Sequence, residues 1–161
     1  MPTALIKGDI FEAEGIQAYA FGANTDGTMD AGIAIAMKKR WPALAEALAA
    51  HAADGKLALG DVFTWSDAER TVFALAIQQG DKKPSLSALT RAIRRMLTLA
   101  AEAKIKRVGV PRIGAGPQGL DWTRVRKMLG EISVGQAVRL DVFEQFVRNK
   151  PAEDAPRTTT D

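Results

Sequence analysis

The stretch Pro111-Arg-Ile-Gly-Ala-Gly-Pro-Gln-Gly-Leu-Asp-Trp122 decides how the fold is read. It follows a short apolar run, Arg107 to Val110, that reads as a strand. It precedes a helix expected through about Ile132, with Asp121 as its N-cap. Strand, glycine loop and helix in that order make a seat for an anion. Gly114, Gly116 and Gly119 let the backbone turn tightly and present N–H groups, and the dipole of the following helix adds to the field. A plain turn between strand and helix does not need three glycines and Pro117, so the loop points to a ligand.

A second loop of the same kind lies upstream. Ile16 to Phe21 is a strand candidate that runs into Gly22-Ala-Asn-Thr-Asp-Gly27. The loop Asn24-Thr-Asp-Gly-Thr-Met-Asp-Ala-Gly32 then leads into a helix read over Ala31 to Arg40. The apolar residues of that helix are small (Ala31, Ala34, Ala36) or flexible (Met37), which suits close packing on a sheet. Two such loops in one domain can clasp two adjoining phosphates. No Gly-Lys-Ser/Thr is present, which excludes a P-loop nucleotidase. The downstream glycines also satisfy Gly-x-Gly-x-x-Gly, and Asp141 stands at a suitable distance for a dinucleotide fold. That fingerprint usually opens its fold, however, and only one helix and one strand remain here.

The rest of the chain alternates strands and helices. Ala4 to Ile6 reads as a strand ending at the turn Lys7-Gly8-Asp9. Pro42 suits the first turn of a helix that runs to about His51. Asp61 to Trp65 and Thr71 to Ile77 are strands, the second continuously apolar as in a strand buried on both faces. Ser85 to Ala103 is the clearest helix, with Leu86, Leu89, Ile93, Met96, Leu97 and Ala100 on one stripe and Arg91, Arg94 and Arg95 mostly off it. Val138 to Phe143 closes the fold as a last strand. Intermixed strands and helices predict an α/β sheet covered on both faces. One domain over residues 1–148 is expected, followed by a Pro-, Thr- and charge-rich tail, 149–161, expected to be disordered or loosely docked.

Composition narrows the chemistry. With 161 residues the chain can bury a real core. It has no cysteine, so disulfides, thiolate metal sites and cysteine nucleophiles are excluded. His51 is the single histidine and is read as a surface helix residue, which argues against a zinc site or a Ser-His-Asp triad. No metal or cofactor is called for. Neither a signal peptide nor a membrane span is visible, and a cytoplasmic monomer without membrane contact is the expectation. The net charge of +3 tolerates a polyanionic partner without demanding one.

Gly8-Asp9-Ile10, Asn24 through Ala34, Lys38-Lys-Arg-Trp-Pro42 and Pro111 through Trp122, in that order and spacing, resemble a macrodomain. The resemblance spans roughly residues 5 to 146. The Met-x-x-Gly-Ile-Ala loop and the Gly-Leu-Asp-Trp end resemble the branch with the human terminal ADP-ribose glycohydrolase and the bacterial antitoxins that remove ADP-ribose from DNA. It implies a three-layer α/β/α fold around a mixed central sheet, with ADP-ribose bound across the two loops. By that resemblance Asp9, with Ile10 beside it, accepts the adenine amino group, and Phe143 stacks on adenine. Ile113, Gly114, Ala115, Gly116, Pro117, Gln118 and Gly119 form the phosphate loop. Asn24, Gly27, Met29, Ala31, Gly32 and Ile33 surround the distal ribose.

The resemblance weakens at catalysis. An aspartate used by one hydrolase branch corresponds to Ala34 here. The strand-end lysine and the second-loop aspartate of the human glycohydrolase fall near Gln78 and Gln118. Lys82 and Lys83 are close in sequence but are expected in the next loop. The resulting expectation is a lysine-independent hydrolase that releases mono-ADP-ribose from protein carboxylates or from nucleic acid such as DNA. Asp30 would polarise a water held by the diphosphate, with Asn24 and Gln78 beside it. Asp26 is a second candidate carboxylate. The competing reading is a non-catalytic reader of ADP-ribose.

Overall fold

The computed structural model describes residues 3–115, 119–145 and 153–154. Along the chain run β1 (Thr3–Lys7), a one-turn 3-10 helix (Ile10–Glu12), β2 (Ala18–Asn24), α1 (Ile33–Arg40) and α2 (Pro42–Ala53). They are followed by β3 (Val62–Ser66), β4 (Thr71–Gln78), α3 (Leu86–Glu102), β5 (Arg107–Val110), α4 (Trp122–Ile132), β6 (Arg139–Gln145) and the two-residue β7 (Glu153–Asp154). Among the described residues the strands form one sheet in the order β3-β4-β2-β5-β6-β1-β7. The five inner strands are parallel to one another, and the two edge strands, β3 and β7, are antiparallel to their neighbours. The sheet is therefore mixed, as expected. Most of the tail 149–161 lies outside the described residues; its residues 153 and 154 pair with Lys7 and Ile6.

Side-chain alternation along the strands builds the three layers. In β4, Phe73, Leu75 and Ile77 enter the core shared with α3 and α4, while Val72, Ala74 and Ala76 enter the core shared with α1 and α2. Neighbouring β2 does the same, with Ala18 and Ala20 on the first face and Tyr19, Phe21 and Ala23 on the second. Helix α3 seals the first core with Leu89, Ala92, Ile93, Met96, Leu97 and Ala100, all buried on one stripe, and Ser85 caps it by accepting from the Ala88 N–H at 3.1 Å. Each large apolar side chain on that stripe contributes about 1.5–3 kcal/mol through burial, so Met96→Ala or Leu89→Ala would undermine the layer.

Three local features depart from the sequence reading. Helix α1 begins at Ile33 rather than Ala31, because Gly32 takes a left-handed φ of 60° at the N-cap. Ala31 and Ala36 are exposed, and Ala34 and Met37 make the packing face. Directly after β1 the chain winds into the 3-10 turn, capped by Asp9, whose Oδ1 accepts from the Phe11 N–H at 2.9 Å. His51 is half-buried, with its ring 4.8 Å from that of Phe63. Among the described residues no helix is long and apolar enough to cross a membrane.

Candidate functional site

The parallel strands point their C-terminal ends to one edge of the sheet. Chain connections leave β2 toward β4 on one side and return to β5 on the other, so the crevice above β2 sits where the winding switches sides. A cleft of about 860 Å³ opens there, within the range of small-ligand sites. Its walls are the end of β2, the loop into α1, the end of β4 with the segment after it, and the loop after β5.

Half of the expected binding residues come together in this cleft, joined by Asp30 and Gln78. Asn24, Asp30, Ala31, Gly32 and Ile33 line it from one loop, Gln78 from the end of β4, and Ile113, Gly114, Ala115 and Gly119 from the other loop. Gly116, Pro117 and Gln118 lie outside the described residues. The neck of the loop after β5 is closed by the Leu120 N–H donating to the Gly114 carbonyl at 2.7 Å. Gly114 holds a φ of 74° there, and a side chain on it would press on Leu120. Asp121 caps α4 by accepting from the Thr123 N–H at 3.0 Å.

Other expected residues stand apart from the cleft. Gly27 is packed against α2, where a Cβ would meet Ala52 and the α2 backbone, and Met29 is buried beside it in the same core. Asp9, Ile10 and Phe143 sit at the ends of β1 and β6, with 6%, 1% and 4% of their surface exposed. Phe143 belongs to the core of the α1/α2 face. Three strand spacings separate β1 from β2 in the sheet order, about 14 Å at the usual spacing. Asp141 is fully buried in β6, where Arg107 Nη2 reaches Oδ2 at 2.5 Å and Arg139 Nε reaches Oδ1 at 2.5 Å. This ion triad ties β5 to β6 and accounts for Asp141 without any dinucleotide.

Polar side chains in the cleft divide into those already engaged and those open to a ligand. Asn24 Oδ1 accepts from the Asp26 N–H and the Gly80 N–H, both at 3.1 Å, and its Nδ2 donates to the Gly80 carbonyl at 2.7 Å. One Nδ2 hydrogen is left for a ligand hydroxyl. Gln78 Nε2 donates to the Lys82 carbonyl at 2.8 Å. Asp26 is occupied within its own turn, accepting from the Thr28 N–H and hydroxyl. Asp30 is exposed and stands on the ridge between the cleft and a neighbouring groove of about 610 Å³ lined by Met29, Ile35, Lys38 and Lys39.

Sequence reasoning placed Lys82 and Lys83 in the loop after β4, and so they are, yet that loop folds so that both line the cleft. Arg112, quoted in the glycine motif but given no role, lines it as well. Its guanidinium lies 5.3 Å from the Trp122 ring centroid, and Trp122 Nε1 donates to Glu144 Oε1 at 2.8 Å. Three cations and two carboxylates, Asp30 and Asp81, thus face the cleft, a balance that favours an anionic ligand. The available signal was a Lys-Lys pair followed by Pro84 between a buried strand and an N-capped helix.

Comparison with known proteins agrees with this geometry. The Macro domain family model matches residues 21–129. Human ADP-ribose glycohydrolase OARD1 is 24% identical over 138 residues, covering 86% of this chain and 88% of its own length. The DNA ADP-ribosyl glycohydrolase of Thermus aquaticus is 23% identical over 165 residues, covering 96% of this chain but 46% of its own length, so the chain spans under half of that relative. In three dimensions the macrodomain of Thermus aquaticus DarG superposes with a TM-score of 0.80 at 20% identity, over 88% of this chain and 97% of that one. A mixed sheet between two helical layers, a cleft at the ends of its parallel strands and a family match across most of the chain lead to one assignment: this chain belongs to the Macro domain family.

Proposed function

We propose that this chain is a hydrolase that binds ADP-ribose across the cleft and releases mono-ADP-ribose from modified protein carboxylates or nucleic acid. The observation that carries the reading is the cleft itself: two backbone loops and three cations converge on one anion seat, with an exposed carboxylate at its rim. The names of the two relatives point the same way. The about 14 Å between the ends of β1 and β2 suits an elongated ligand, with adenine toward Asp9, diphosphate over the Gly114 loop and distal ribose toward Asp30.

Hydrolysis needs a water aligned with the anomeric carbon of the distal ribose and a group that takes its proton. The diphosphate orients the water, and the Asp30 carboxylate accepts the proton as the bond to the leaving group breaks. The products are ADP-ribose and the freed carboxylate or base. Asn24 and Gln78 are amides and act in this scheme by holding geometry, never as bases.

Asp30→Ala is expected to abolish turnover while calorimetry shows ADP-ribose binding within about twofold of the parent. Unchanged turnover would remove Asp30 from the mechanism. The alternative, a reader that binds ADP-ribose without cleaving it, draws on one feature, the glutamine at the β4 end where the glycohydrolase branch resembled by the sequence has a lysine. It predicts tight binding and no release from any linkage.

A further inference from the structure

We infer that residues 79–84 form a cationic clamp on the diphosphate, and that Asn24 and Gln78 are positioning residues that lock the clamp toward the cleft. The inference rests on the ADP-ribose reading. Residues 79–83 (Gln-Gly-Asp-Lys-Lys) are all exposed, so no apolar packing orders them. Fixing such a segment costs conformational entropy at every residue, and something has to offset it. Two strand-end amides do so. Asn24 grips Gly80 at both its N–H and its carbonyl, 3.1 and 2.7 Å, and Gln78 grips the Lys82 carbonyl at 2.8 Å. These amides stand opposite each other on paired strands, at the register step where β2 and β4 end together. Within the segment the Lys82 N–H donates to the Gln79 carbonyl, and behind it the Ser85 N–H returns to the Ile77 carbonyl at 2.8 Å.

The result is a polar latch whose visible product is the placement of Lys82 and Lys83 on the cleft. Neither lysine forms an ion pair among the described residues. A dianionic diphosphate seated against the Gly114 loop supplies the charge both lysines lack. In this scheme the lysines contribute electrostatic attraction to the phosphates and form no covalent bond.

The test is ADP-ribose binding to the full chain by calorimetry, from low to physiological salt, for the parent, K82A/K83A, N24A and N24A/K82A/K83A. Thermal unfolding of each variant checks that it folds. The expected result for K82A/K83A is an affinity about three- to tenfold lower at low salt and a flatter dependence on salt, since exposed charges are screened. N24A should show at least the same loss and the same flattening. Adding N24A to K82A/K83A should then lower affinity by less than N24A does alone, because the two changes share one interaction while the Asn24 contact to the ligand hydroxyl is separate. Full affinity in K82A/K83A, with the parent's salt dependence, would overturn the clamp. An additive loss in the triple variant would overturn the positioning role of Asn24. If the parent does not bind ADP-ribose, both this inference and the reading beneath it fall together.

Discussion

Replacing Gly114 with alanine tests the proposed phosphate loop where its closing hydrogen bond is made. The backbone there has a φ of 74°, which costs an L-residue about 1–2 kcal/mol. Alanine recovers about 0.4–1 kcal/mol of that by restricting the unfolded chain. The new Cβ would stand 2.9 Å from Leu120 Cδ1, so the end of that side chain has to turn away, at about 0.5–1.5 kcal/mol. The net expectation is a loss of about 0.5–3 kcal/mol. For a domain of this size that lowers the unfolding midpoint by roughly 1–12 °C. Gly55→Ala is the matched control: its φ is 71°, and a Cβ there meets nothing within 4 Å. It carries the backbone penalty without the clash and should lower the midpoint less, by no more than about 6 °C. Circular dichroism melts give both values, and calorimetry adds the functional readout. Gly114→Ala should weaken ADP-ribose binding, because relaxing the φ of 74° turns the backbone that lines the cleft, whereas Gly55→Ala should bind as the parent does. Equal midpoints for the two variants, or full affinity in Gly114→Ala, would refute the reasoning.

Three further outcomes follow from other parts of the molecule. Asp9→Ala should weaken ADP-ribose binding by about 1.5–3 kcal/mol, the worth of a hydrogen bond to a charged group, and unchanged affinity in titration calorimetry would place adenine elsewhere. Lys104, just past the C-cap of α3, has a left-handed φ of 62°, so Lys104→Gly should raise stability by about 0.5–1 kcal/mol in urea melts. Asp67 accepts the backbone N–H groups of Arg70 and Glu69 at the β3–β4 turn, which together hold its carboxyl below the usual aspartate range. Its folded pKa is depressed, so its contribution is present above the ordinary aspartate pKa and lost as pH falls through the folded value. The stability difference between the parent and Asp67→Asn should therefore shrink on acidification below about pH 4, and a constant difference would contradict the assignment.

How far the sequence carried differs between fold and site. The apolar run 72–77, the stripe on α3 and the glycine loop after β5 were legible because each answers to a local rule of period or backbone freedom. The start of α1 was misread by two residues, since the sequence shows a glycine at 32 but not the sign of its φ. At the site, Asn24, Ala31, Gly32, Ile33, Gly114, Ala115 and Gly119 share one cleft while Gly27 and Met29 pack away from it, and the roles of the polar groups did not follow from residue type. Asn24 and Gln78 read as groups beside the reacting water, and folded they also hydrogen-bond the 79–84 segment, Asn24 at Gly80 and Gln78 at Lys82. Lys82 and Lys83 were set aside because their approach to the cleft depends on that nonlocal latch, which spans 56 residues between Asn24 and Gly80. Asp141 illustrates the reverse case: a motif distance suggested a ligand contact, while pairing of β5 with β6 buried it between two arginines.

The most direct test of the central claim is release of ADP-ribose, followed by chromatography, from a protein carrying carboxylate-linked mono-ADP-ribose and, in parallel, from ADP-ribosylated DNA, at catalytic amounts of this protein. The account predicts many equivalents of ADP-ribose released per protein from at least one substrate, with the activity lost in Asp30→Ala. Tight ADP-ribose binding with no release from either substrate would contradict it and leave a reader in place of an enzyme.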